Sequence, residues 1–158
     1  MKLYLVRHGE ARAGADDAAR PLTEWGREQV RRMARHVAAL GLQVSEIRHS
    51  GKLRARESAE IVAERLAPAQ GLLEMQGLNP GDDPAIAKAA IEAMGESVML
   101  VGHLPHLGRL ASSLLMGDPG KELIRFAEAA CACLSREEGG WLLEWLITPA
   151  LLPASFRT

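Results

Sequence analysis

Two short apolar runs set the terms for this chain. Residues 3–6 (LYLV) and 97–101 (SVMLV) are too short for amphipathic helices, and each runs into a histidine, at Arg7-His8-Gly9 and at Gly102-His103. Runs of this length and apolarity read as strands buried on both faces, as in a parallel sheet covered by helices. In such sheets ligands bind beyond the carboxyl ends of the strands. If the two strands are neighbours, His8 and His103 emerge there side by side.

The segments between them carry helical spacing. Thr23 is a candidate N-cap for a helix whose Val30, Met33, Ala34, Val37 and Leu40 share a face, with Gly41 as terminator. Residues 12–20 are a loop, 44–49 a second strand, 52–66 a second helix, and 67–82 a loop with at most a short strand. Asp83-Pro84 opens a third helix, with Ile86, Ala90 and Met94 on one face and Gly95 at its end. Leu107, Leu110, Ala111 and Leu114 mark a fourth, stopped at Gly117. Residues 129–134 and 141–147 flank REEGG and read as a hairpin. This order predicts an α/β three-layer sandwich: a mostly parallel central sheet flanked by helices, with a C-terminal β-hairpin. At 158 residues the chain suits a single domain over 1–158.

Charge and composition narrow the function. Nineteen basic and twenty acidic residues give a net charge of −1, so no global basic field for nucleic acid is expected. No apolar run reaches the roughly 18–20 residues that span a bilayer, and Arg7 cuts short any signal-peptide core. A cytoplasmic protein with no membrane partner is the expectation. Cys131 and Cys133 fall on one face of a strand and read as small apolar side chains rather than as a disulfide or zinc site. No metal or other cofactor is expected: the H-x-x-H at 103–106 lacks further ligands, and no phosphate loop of the G-x-x-x-x-G-K-[ST] type occurs.

What remains is a constellation. A third strand exit, RHSGKLRAR, brings Ser50 and Arg54 to the same sheet edge, with Arg54 in the first turn of a helix. Arginine's planar fork suits phosphate oxygens, and backbone N–H groups near Gly9, Gly51 and Gly102 add donors. Gly9 also lets the backbone pass close to a bound phosphate. A neutral imidazole among such cations keeps its lone pair and can attack phosphorus. His36 reads as a boundary residue, while His49 and His106 flank the site.

LVRHGEA, RHSGKLRARESAE and VGHLPHLG, in this order and at these spacings, resemble the histidine phosphatase superfamily. The short length, RPLTEWG and LNPGDDP are most similar to its SixA-type phosphohistidine phosphatases. The resemblance implies a hydrolase with His8 as phosphorylated nucleophile and Arg7, Arg54 and His103 binding the phosphoryl group. Arg20 would be a further basic residue lining the site. Larger relatives carry a general-acid carboxylate after the second block. Here the 66–82 stretch is short, which leaves Glu10, Asp82 and Asp83 as candidates. Phosphohistidine needs less protonation help than an alkyl phosphate, so the expected substrate is phosphohistidine on a partner protein, such as a phosphotransfer domain. A phosphatase for small phosphorylated metabolites is the alternative, and a non-catalytic phosphoprotein-binding module is disfavoured by the intact Arg7, His8, Arg54 and His103. The chain departs from the family's pattern at Ser50-Gly51, where many relatives have Ser-Pro, and at Glu57-Ser58, where Gln-Thr is common. Oligomeric state is left open.

Overall fold

The structure, a computed structural model, describes residues 1–153. Its strands are β1 (Lys2–Arg7), β2 (Glu46–His49), β3 (Leu72–Glu74), β4 (Val98–Gly102), β5 (Cys131–Glu137) and β6 (Gly140–Ile147). They form one sheet in the order β3-β2-β4-β1-β5-β6. The first four are parallel, whereas β5 runs antiparallel to β1 and β6 antiparallel to β5. The expected α/β architecture is therefore present. β1 and β4 are direct neighbours, with Arg7 opposite Gly102, so the two histidine-bearing exits adjoin.

Four helices cover the sheet: α1 (Glu24–Ala39), α2 (Leu53–Leu66), α3 (Pro84–Glu92) and α4 (His106–Met116). Alternation along β1 and β4 divides the core. Leu3, Leu5 and Leu100 pack with Ile91 of α3 and with Leu107 and Leu110 of α4, while Tyr4, Val6, Met99 and Val101 pack with Val30 and Met33 of α1 and Val62 of α2. Thr23 caps α1, its hydroxyl accepting from the Gly26 N–H at 2.9 Å, and Asp83 caps α3 with Pro84 in the first turn. Cys131 and Cys133 are free thiols on one buried face of β5. Among the described residues no helix is long and apolar enough to cross a membrane.

Some expectations are corrected. The face of α3 is Ala87 and Ile91, with Ala90 and Met94 partly buried beside them, whereas Ile86 is exposed. Ile86 lies over Gly77, where a Cβ would sit 2.6 Å from its Cγ2, so it packs on backbone rather than into the core. The hairpin turn is tighter than REEGG suggests: Arg136 and Glu137 pair with Trp141 and Gly140, which leaves only Glu138 and Gly139 between the strands. The second strand starts two residues later than expected, and the 12–20 loop contains a 3-10 turn at Asp17–Ala19.

Candidate active site

The carboxyl ends of β1, β2 and β4 open on a cleft of about 230 Å³. Arg7, His8, Arg20, Arg54, His103 and Glu128 line it. Residues scattered from position 7 to position 128 thus meet because three strand ends and two loops converge at one sheet edge.

His8 leaves the end of β1, where its N–H donates to the Gly102 carbonyl at 3.1 Å. The residue is 9% exposed, and Nδ1 lies 2.6 Å from the Gly9 carbonyl. Burial first, then the charges of Arg54 and Arg7, pull its pKa down to about 4. A neutral imidazole facing a carbonyl must carry its proton on the facing nitrogen, so Nδ1 donates and Nε2 keeps a free lone pair. His103 is buried beside it, with ring centroids 5.1 Å apart, and its pKa falls to about 3 through burial and then through the proximity of His8. Its Nε2 shares a 2.6 Å hydrogen bond with the Ser50 hydroxyl.

The guanidinium groups are held from behind. Arg7 Nη1 donates to the Phe126 carbonyl at 3.0 Å, tying the cleft to the loop that leads into β5. Arg54 is 4% exposed and donates through Nη1 to the Asp17 carbonyl at 2.8 Å. Arg20 Nε donates to the Arg12 carbonyl at 2.8 Å. The Asp17 carboxylate bridges the three cations at the rim: Lys52 at 2.7 Å, Arg20 at 3.0 Å and Arg54 at 3.4 Å. The hydrogen bonds from Lys52 and Arg20 hold its carboxyl well below the ordinary range.

Gly9 has a different task from the expected one. Its N–H donates to Ser58 Oγ at 3.1 Å and so is not a donor for an anion. A Cβ there would lie 2.5 Å from the Gly26 carbonyl, so glycine lets the turn press against α1. Ser58 in turn donates to the Arg54 carbonyl at 2.7 Å, linking the Arg54 helix to the His8 turn. The Gly51 N–H is likewise spent internally, on His49 Nδ1 at 3.1 Å. Gly51 has φ +90°, a conformation closed to proline, which accounts for the departure from Ser-Pro. Glu57 accepts from the Leu22 N–H at 2.9 Å and pairs with Arg27, so it clamps the loop before α1.

The three carboxylates considered as acids are engaged elsewhere. Glu10 accepts from the Thr23 hydroxyl at 2.9 Å, Asp82 from the Asn79 N–H at 3.0 Å, and Asp83 caps α3. Glu128 lines the cleft instead, and sequence reasoning missed it. Its only signal in the chain is position, three residues before β5. Its neighbour Ala129, at φ +58°, donates its N–H to the His8 carbonyl at 3.1 Å. His106 is fully buried and does not line the cleft. Among the described residues no group of three or more His, Cys, Asp or Glu is arranged to hold a metal.

Two neutral imidazoles and three guanidinium groups around a small cleft at the strand ends make a site for phosphoryl transfer. The comparisons agree. The histidine phosphatase superfamily (branch 1) model matches residues 3–79. An uncharacterized protein of Picosynechococcus sp. is 37% identical over 131 residues, covering 78% of each chain. The phosphohistidine phosphatase SixA of Escherichia coli is 28% identical over 158 residues, 96% of each chain. A solved structure of the protein histidine phosphatase SixA with tungstate superposes with a TM-score of 0.85 over 95% of this chain and 98% of that one, at 28% identity. The chain belongs to the histidine phosphatase superfamily. It is a phosphatase with the SixA-like α/β fold.

Proposed function

We propose that this chain, as one catalytic domain over residues 1–158, removes the phosphoryl group from phosphohistidine on a partner protein, with His8 as the covalent carrier. The observation that carries the reading is His8 itself: neutral, with Nδ1 bound to a carbonyl and Nε2 free, in a cleft lined by Arg7, Arg20 and Arg54. Likeness to SixA over nearly the whole chain supports the substrate class. The tungstate held by that relative is a tetrahedral oxyanion like phosphate.

In the first step Nε2 of His8 attacks phosphorus, a P–Nε2 bond forms, and the bond from phosphorus to the substrate nitrogen breaks. Arg7, Arg54 and His103 hold the equatorial oxygens, and Arg20 adds charge at the rim. The departing nitrogen takes a proton from Glu128. The positive charge that develops on the His8 ring is met by the Gly9 carbonyl at Nδ1. In the second step water attacks phosphorus, gives its proton back to Glu128, and the P–Nε2 bond breaks to release inorganic phosphate. Protons and charge balance over the cycle.

Glu128 favours a second reading. A carboxyl in the cleft serves alkoxide leaving groups, which need protonation more than imidazole does, so small alkyl phosphates come within reach. Rates on free phosphohistidine against a panel of alkyl phosphates decide between the two. A steep preference for phosphohistidine supports the first reading, and equal rates overturn it.

A further inference from the structure

A second concavity, of about 360 Å³, opens beside the cleft. Leu104, immediately after His103, lines both, so the two adjoin at that side chain. Leu104, Pro105, Gly108 and Ile124 supply an apolar part, and Arg109 and Lys121 are among the cations lining it. Arg125, also lining it, pairs with Glu122 at 3.3 Å. Arg109 and Lys121 form no ion pair with a carboxylate among the described residues. An apolar centre with a charged margin is the make-up of a protein-binding patch. The two unpaired cations suit an acidic partner.

Gly108 keeps this groove open. It sits inside α4, where glycine costs about 1 kcal/mol relative to alanine. A Cβ there would meet only the Ile124 carbonyl at 3.8 Å and Leu104 Cδ2 at 4.0 Å, both ordinary contacts. The fold therefore has no need of glycine at this position. Any larger side chain would project toward Leu104 and Ile124, across the groove.

We propose that this groove seats the polypeptide flanking the phosphorylated residue of a protein substrate, with an acidic side chain of that segment against Arg109 and Lys121. The inference rests on the phosphoprotein reading above. The groove borders the catalytic cleft across Leu104, and it is larger than the cleft that takes the phosphoryl group. What enters it is therefore the part of the substrate that carries the phosphoryl group. Binding there, remote from the reacting bond, sets selectivity for one protein over another.

The test compares a histidine-phosphorylated phosphotransfer domain with free phosphohistidine, using wild type, Gly108→Leu and the double variant Arg109→Glu/Lys121→Glu. The expected result is a KM for the phosphoprotein raised about 10-fold or more in both variants, with kcat and the KM for free phosphohistidine within about 2-fold of wild type. The wild-type KM for the phosphoprotein also rises with salt, and the double variant loses that dependence. The charge variant changes only exposed positions, so it reads the groove even if Gly108→Leu fails to fold. Normal wild-type turnover of the phosphoprotein with unchanged KM in the charge variant overturns the groove alone, as does an equal loss on both substrates. A wild-type enzyme that hydrolyses free phosphohistidine but not the phosphoprotein overturns the substrate reading and the groove with it.

Discussion

His8 and His103 face each other with ring centroids 5.1 Å apart and planes inclined at 52°, and no carboxylate hydrogen-bonds to either ring among the described residues. That absence sets their chemistry. A histidine oriented by a carboxylate is raised in basicity and works as a proton carrier. His8 is oriented by the neutral Gly9 carbonyl and keeps a low proton affinity, which suits a nucleophile.

The first prediction follows from that orientation. His8→Ala should lower turnover by about 10⁴-fold or more, whereas His103→Ala, which removes one of the groups proposed to stabilise the phosphoryl oxygens, should cost about 10²- to 10³-fold. Brief exposure to labelled substrate should leave an acid-labile phosphoryl group on wild type and none on His8→Ala. Full turnover by His8→Ala would sink the covalent route.

The turn after β2 gives a stability prediction. Gly51 has φ +90°, and a Cβ there would lie 2.2 Å from Glu74 Oε1. Gly51→Pro, although it restores the Ser-Pro found in many relatives, should destabilise the fold by about 2 kcal/mol or more, since proline cannot adopt that φ. Activity should fall with it, because Ser50 next door holds His103. Denaturant midpoints and turnover check both, and a neutral outcome would mean that the turn rearranges freely.

Much of this was readable in the chain, for identifiable reasons. Arg7, His8 and His103 follow buried strands, and a strand that is apolar throughout announces where it stops. Arg54 opens a helix that follows β2, so one motif carried both its placement and its direction. Asp17, in a single 3-10 turn, and Glu128, in the segment before β5, have no period to read, and only the folded chain brings Asp17 to Arg54 at the rim and Glu128 to the cleft. The α3 face is not legible in the sequence because Ile86 stands out among alanines. In the fold Gly77 leaves room for it outside the core, and the smaller Ala87 faces inward.

Glu128 yields a prediction that separates substrates. Glu128→Gln keeps the shape of the side chain and removes its proton transfer. Turnover of alkyl phosphates should drop by about 10²- to 10⁴-fold, while hydrolysis of phosphohistidine, with its better leaving group, should lose much less. Burst kinetics on phosphohistidine should show the phosphoenzyme accumulating, because water then attacks without a base. Unchanged turnover of alkyl phosphates, with no accumulation on phosphohistidine, would remove Glu128 from the chemistry.

The last prediction concerns pH. Burial, and then neighbouring charge, lower His8 to about 4 and His103 to about 3, against an ordinary value of 6.5. Between pH 6.5 and about 4 the unfolded chain binds protons on these rings that the folded chain refuses, so stability must fall as pH falls. Above 6.5 both rings are neutral in either state and contribute nothing to the slope. Below about 3 the loss is complete. For His8 it amounts to roughly 3 kcal/mol at most. Denaturant midpoints should therefore decline from pH 6.5 to 4, and His8→Asn should flatten part of that decline. The ring-proton NMR shifts of His8 and His103 should hold steady from pH 7.5 to about 5, where an ordinary imidazole would have titrated. Titration of His8 near pH 6.5 would mean that burial in the cleft does not depress its proton affinity.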